Sequence, residues 1–242
     1  MLSDTEARNA LIVALDCDRA RALELTDLLA DHARWVKVGM TLFYRYGPGI
    51  VQEMKDRGFN VFLDLKVHDI PFQVHGAVRS ASLSGADIIS IHALGGSHMI
   101  ASGRSGAAEA AEVRGVGEKG RTKLVAISIL TSMNEEDLSS IGVRDTVASE
   151  VERLAKLSYS AGADGLVCSA QEASSMRKIL GPEALIITPG IRPRGAEKGD
   201  QQRTATPASA IAAGASKLVI GRPITEAKDP CVTFEEIVNE LI

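Results

Sequence analysis

The sequence predicts an α/β protein of the (β/α)8 class, a closed barrel of parallel strands with helices outside. Three observations lead there. The chain has 242 residues, close to the length of about 250 typical of such a barrel. Short apolar runs alternate along it with stretches of helical period, the pattern of parallel strands joined by crossover helices. A weak internal echo marks the alternation: Ser84-Gly85-Ala86-Asp87, Ala161-Gly162-Ala163-Asp164 and Ala213-Gly214-Ala215-Ser216 each precede an apolar run. Glycine there suits the residue just past a helix end, which needs positive φ. A doubly wound open sheet is the second choice. No linker composition interrupts the chain, so one domain over 1–242 is expected.

The strands are expected at 11–16, 35–40, 60–66, 87–92, 123–130, 165–169, 184–188 and 217–220. The helices are expected at 20–30, 48–57, 71–83, 98–113, 144–160, from about 170 to 180, 207–213 and 229–241. Gly58 stops the second helix, Gly181-Pro182 breaks the sixth, and Thr206-Pro207 reads as N-cap and first residue of the seventh. The glycine-rich stretch 115–121 contains Gly115-x-Gly117-x-x-Gly120. A dinucleotide fingerprint needs a strand before it and a helix after it. Here the order is reversed, so the stretch is a loop.

Composition removes several function classes. Hydrophobic residues make up 45% and charged residues 24%, ordinary for a globular protein. The net charge of −4 carries no basic footprint for nucleic acid, and aromatics at 4% are too few for a base-stacking platform. Cys17, Cys168 and Cys231 are scattered, with no Cys-x-x-Cys, so neither a disulfide framework nor a zinc knuckle is expected and a reducing cytoplasm fits. The polar, acidic stretch 1–10 does not read as a signal peptide. No apolar run approaches the roughly 20 residues of a membrane span.

The chemistry concentrates at the end of the third strand, Asp64-Leu65-Lys66-Val67-His68-Asp69-Ile70-Pro71. With period two, Phe62, Asp64 and Lys66 share one face and Leu63, Leu65 and Val67 the other. A carboxylate and an ammonium thus stand where a buried strand carries apolar groups. Charges are buried only when paired. In a barrel the site lies at the C-terminal ends of the strands. Asp16, Lys37, Thr131, Gly221 and Arg222 fall at the same rim. The carboxylates flanking Lys66 favour its charged form, which suits a proton donor better than a Schiff-base nucleophile. Gly221 permits close backbone approach and Arg222 offers a fork, together a phosphate site. The aperiodic stretch 190–206, carrying Arg192, Arg194, Lys198, Gln201 and Arg203, reads as a lid. The histidines lack metal-helix spacing; His68 reads as a supporting residue, and His92 could face the site.

The octapeptide resembles the signature of the orotidine 5′-phosphate decarboxylase family in its bacterial form. Val13-Ala14-Leu15-Asp16, Val36-Lys37-Val38-Gly39, Leu130-Thr131-Ser132-Met133, Thr188-Pro189-Gly190-Ile191-Arg192-Pro193, Gly199-Asp200-Gln201 and Ile220-Gly221-Arg222-Pro223-Ile224 follow in family order. The resemblance spans essentially the whole chain. It implies a dimeric barrel that converts orotidine 5′-monophosphate to uridine 5′-monophosphate and CO2, the last step of de novo pyrimidine nucleotide synthesis, with no metal or organic cofactor. It implies that Lys37, Asp64, Lys66 and Asp69 form an alternating charged network, with Asp69 reaching the partner subunit's site. Lys66 would protonate C6, and Asp64 would lie near the departing carboxylate. Asp16 and Lys37 would hold ribose hydroxyls, Thr131 the pyrimidine edge, and Arg192, Gln201, Gly221 and Arg222 the phosphate side. Ile70 would join the substrate contacts. One departure is visible: Phe72-Gln73 stands where the family commonly has Asn-Thr. The alternatives are a Mg2+-dependent sugar-phosphate decarboxylase or aldolase of a related barrel and a non-catalytic nucleotide-binding barrel.

Overall fold

The computed structural model describes residues 1–193 and 204–242. Its strands are β1 (Leu11–Ala14), β2 (Trp35–Gly39), β3 (Asn60–Val67), β4 (Ile88–His92), β5 (Lys123–Ile127), β6 (Gly165–Val167), β7 (Leu185–Thr188) and β8 (Lys217–Ile220). They close in sequence order into one barrel, all pairs parallel, with β8 beside β1. This is the (β/α)8 barrel expected. The helices are α1 (Asp4–Ala10), α2 (Arg19–Leu29), α3 (Met40–Tyr46), α4 (Gly49–Asp56), α5 (Pro71–Leu83), α6 (Gly96–Val113), α7 (Glu135–Ser140), α8 (Val147–Ser160), α9 (Ala173–Leu180), α10 (Pro207–Ala212), α11 (Arg222–Thr225) and α12 (Pro230–Leu241).

The sequence reading omits α1, α3, α7 and α11. Two of these had legible signals. Ser3 and Glu6 form a reciprocal capping box that starts α1, and Asn134 with Asp137 forms another that starts α7. The strand predicted at 123–130 ends three residues early, at Ile127. β3 runs to Val67, and Pro71 opens α5 as its first residue, as expected, where a missing N–H costs nothing.

Two apolar layers hold the barrel. Ile12, Ala14, Phe62, Ile88, Val125, Ile187 and Val219 fill its interior. A larger layer between strands and helices includes Leu11, Val13, Val36, Val61, Leu63, Ile89 and Phe234. The period-two assignment of β3 is therefore correct: Phe62 points inside, while Val61 and Leu63 pack outward on the helices.

The internal echo has a structural meaning. Gly85, Gly162 and Gly214 all take positive φ, 95°, 98° and 102°. The polar residue two positions on then clamps the neighbouring strand. Asp87 Oδ2 accepts the Val61 N–H at 2.7 Å, Asp164 Oδ2 that of Leu124 at 2.8 Å, and Ser216 Oγ that of Ile186 at 3.1 Å. Each clamping residue also donates its own N–H to the same neighbour's carbonyl. The start of every even strand from β4 to β8 is thus latched to the strand before it, at the end of the barrel away from the rim where β3 carries its charges.

Candidate active site

At the C-terminal rim the strand ends open onto a cavity of about 600 Å3. Asp16, Lys37, Asp64, Lys66, Thr131, Arg192, Gly221 and Arg222 all line it. Its apolar floor includes Phe62, Ile127, Val167 and Val219. The barrel therefore brings these expected residues to one place. It does not bring Asp69 or Ile70 there; both lie on the exposed rim beyond β3, where Asp69 Oδ1 accepts the Ile70 N–H at 2.6 Å. Gln201, with Arg194, Lys198 and Arg203, lies outside the described residues.

The charged cluster is compact. Lys66 Nζ donates to Asp64 Oδ2 at 2.7 Å. Lys37 Nζ donates to Asp16 Oδ1 at 2.7 Å and stands 3.9 Å from Asp64 Oδ2. Lys37 and Asp64 are nearly enclosed, their side chains 9% and 12% exposed, whereas Asp16 is 62% exposed. Burial would raise the Asp64 carboxyl, but the Lys66 and Lys37 ammonium groups and hydrogen bonds from Lys66 and Ser90 outweigh it and hold the group below the ordinary carboxylate range. Gly39 lies under this cluster. A Cβ there would sit 3.0 Å from Asp16 Oδ1 and 3.1 Å from Lys37 Nζ, so a side chain would push the pair apart. At Gly221 a Cβ would meet nothing closer than 3.5 Å. Contacts within this chain therefore do not require glycine at that position.

The backbone that carries the cluster is irregular. β3 pairs with β4 through Leu63 and Ile89, then through Val67 and Ile91, so residues 64–66 bulge opposite Ser90 alone. Lys66 has φ of 52°, the sole positive φ among the described non-glycine residues. Such a conformation costs on the order of 1–3 kcal/mol and persists only where its surroundings impose it. The Lys66 N–H, displaced from the ladder, donates to Ser90 Oγ at 2.9 Å.

Several residues escaped the sequence reading. Arg21 lines the cavity and donates to the Thr225 carbonyl at 2.9 Å, tying α2 to the segment after β8; Cys17 and Glu226 line it too. Ser90 was also missed, although the parity of β4 places it on the interior face with Ile88 and His92. His92 sits beside the cluster, its ring 5.5 Å from that of His68. Burial, then the neighbouring His68 and Lys66, hold its imidazole below the ordinary histidine range. The loop expected at 115–121 contains only a short 3-10 turn, with a helix before it and β5 after it, so the dinucleotide fingerprint is a coincidence of letters.

A (β/α)8 barrel whose half-buried Lys66 is paired with a buried Asp64 at a rim cavity has the arrangement of an acid–base enzyme. Comparison with known proteins narrows this. Residues 9–237 match the model of the "Orotidine 5'-phosphate decarboxylase / HUMPS family". The chain is 47% identical over 233 residues to orotidine 5′-phosphate decarboxylase of Vibrio cholerae, covering 96% of this chain and 98% of that one. It is 45% identical to that of Chromohalobacter salexigens, covering 96% and 95%. The crystal structure of orotidine 5′-phosphate decarboxylase from Lactobacillus acidophilus superposes with a TM-score of 0.83 at 36% identity, covering 96% and 98%. This chain belongs to the orotidine 5′-phosphate decarboxylase / HUMPS family, and it is a carbon–carbon lyase.

Proposed function

We propose that the chain decarboxylates orotidine 5′-monophosphate to uridine 5′-monophosphate and CO2, in pyrimidine nucleotide synthesis. The observation that carries this is the Lys66–Asp64 pair at 2.7 Å facing the rim cavity, in a chain whose relatives are decarboxylases of that name. Asp64 lies against the substrate carboxylate. As the C6–carboxylate bond breaks, CO2 leaves and the electron pair stays on C6. Lys66 Nζ gives that carbon a proton and regains one from solvent. The ammonium is in place before charge develops, which is the preorganised electrostatic stabilisation that lowers barriers most. Lys37 and Asp16 hold ribose hydroxyls, Thr131 the pyrimidine edge, and Arg192, Gln201, Gly221 and Arg222 the phosphate. Phosphate contacts remote from C6 supply binding energy that is used at the reacting carbon.

Both Asp64 oxygens already accept hydrogen bonds, from Ser90 and from Lys66, and two ammonium groups crowd the site. That donor set suits an anionic substrate better than a divalent cation, which favours the cofactor-independent reading over a Mg2+-dependent one. Asp69 and Ile70 act from a second subunit. In support, neither lines its own cavity, and Ile70 and Phe72 are 62% and 80% exposed beside it, an apolar edge for a homodimer to cover. Cys17 and Cys231 stand as thiols outside any disulfide, which suits a cytoplasmic enzyme.

The test is the absorbance of orotidine 5′-monophosphate with purified protein in excess EDTA. Loss of the substrate band is expected. No change, followed by activity on a sugar phosphate once Mg2+ is restored, would overturn the substrate assignment. Binding of uridine 5′-monophosphate with no turnover of either substrate would leave only a nucleotide-binding barrel.

A further inference from the structure

Ser90 joins the two halves of the reactive pair without reaching the cavity. It is fully buried in the middle of β4 and does not line the rim site. Its hydroxyl donates to Asp64 Oδ1 at 2.7 Å and accepts the Lys66 N–H at 2.9 Å. A serine hydroxyl has one proton to give. Because the backbone N–H can only donate, the hydroxyl proton is directed at the carboxylate, and the relay runs one way, from the Lys66 backbone through Ser90 to Asp64. In the regular alternation of β3 the Asn60 N–H bonds toward β2 and the Val61 N–H toward β4, so an undistorted strand would aim the Lys66 N–H at β2. The bulge and the left-handed turn bring it round to Ser90 of β4 instead. With Oδ1 held by Ser90, Oδ2 is the oxygen turned to the Lys66 and Lys37 ammonium groups.

We propose that Ser90 is a positioning residue for the decarboxylation: its hydroxyl holds the left-handed backbone turn at Lys66 and fixes the rotation of the Asp64 carboxylate, so that proton donor and carboxylate are set in one geometry. This rests on the functional reading above. Ser90 touches no substrate. Its effect falls on the reacting geometry, where a displacement of about 1 Å can cost roughly 100-fold, and not on the ribose and phosphate contacts that dominate affinity.

The test is Ser90→Ala, with turnover of orotidine 5′-monophosphate and the Kd of uridine 5′-monophosphate measured in parallel. We expect kcat to fall about 10- to 100-fold, with KM and the Kd changed by less than about twofold. Ser90→Cys keeps the side-chain shape in a slightly larger volume and gives up the strong hydrogen bonds, so it supplies the same comparison where the alanine variant does not fold. A folded variant with kcat within about twofold of the parent would overturn the proposal, as would a Kd that weakens in step with kcat. Loss of the fold in both variants would make Ser90 structural and also overturn it. If the parent chain itself does not consume orotidine 5′-monophosphate, the functional reading fails instead, and the two failures are told apart by that control.

Discussion

Lys37 Nζ stands between two carboxylates, 2.7 Å from Asp16 Oδ1 and 3.9 Å from Asp64 Oδ2, and so links the exposed edge of the site to its buried carboxylate. Asp64 is kept ionised by Lys66 and Lys37 together, against the burial that opposes it. Removing Lys37 leaves one ammonium to do this. Lys37→Met should therefore move the Asp64 carboxyl upward, and the acid limb of the kcat/KM profile should shift to higher pH. The pH–rate profiles of parent and variant check this; an unmoved acid limb would show that Lys37 does not act on Asp64.

Lys66→Ala removes the group proposed to protonate C6. Turnover should fall below detection while uridine 5′-monophosphate still binds, because the interaction lost is made chiefly in the transition state. Single-turnover absorbance and titration calorimetry read the two quantities separately. Residual turnover within tenfold of the parent would assign the proton to another donor.

Arg222→Ala tests the phosphate end. A charged hydrogen bond lost costs about 1.5–3 kcal/mol, so kcat/KM should fall by roughly 10- to 150-fold. The fall should be smaller for a substrate lacking the 5′-phosphate. An equal fall for both substrates would place Arg222 elsewhere in the mechanism.

Gln73 lies on the exposed rim with Asp69, Ile70 and Phe72, outside its own cavity. If a partner subunit supplies this segment, Gln73 acts on binding and not on the Lys66–Asp64 pair. Gln73→Thr should change KM by about twofold to fivefold and leave kcat nearly intact. A large fall in kcat would contradict that placement.

The barrel and most of its rim were legible because both follow from periodicity. Period two put Asp64 and Lys66 on one face, and strand ends in a parallel barrel gather polar residues wherever they occur in the chain. Ser90 was hidden for a physical reason. Its role depends on a bulge in β3 and a positive φ at Lys66, and neither leaves a trace in residue type, since lysine is not a residue that signals a left-handed turn. Arg21 was hidden because it comes from the first turns of α2, away from any strand end. The Gly-Ala-Asp echo was read for its glycine alone. Its aspartate, which latches one strand to the next, needed the three-dimensional neighbour to be known.

That latch makes a stability prediction with a defined pH window. Asp164 accepts the Leu124 N–H and two hydrogen bonds from Arg121, whose side chain is 2% exposed. Burial would raise the Asp164 carboxyl, but Arg121 and the Leu124 N–H outweigh it and hold it below its ordinary value of 3.8. A carboxyl lowered in the folded state adds stability that is present above the unfolded value and lost as pH falls through the folded one. Asp164→Asn keeps an oxygen for Leu124 but leaves the Arg121 guanidinium without its main counter-charge. At pH 7 it should cost about 3 kcal/mol, the scale of breaking an enclosed pair by removing one partner. As pH drops below about 3.8 toward the lower folded value the parent begins to lose this contribution, so the gap between the two denaturation midpoints should narrow. Urea titrations from pH 7 down to pH 3 measure this. A gap between parent and variant that stays constant over that range would mean that the oxygen geometry, and not the charge, is what Asp164 contributes to the latch.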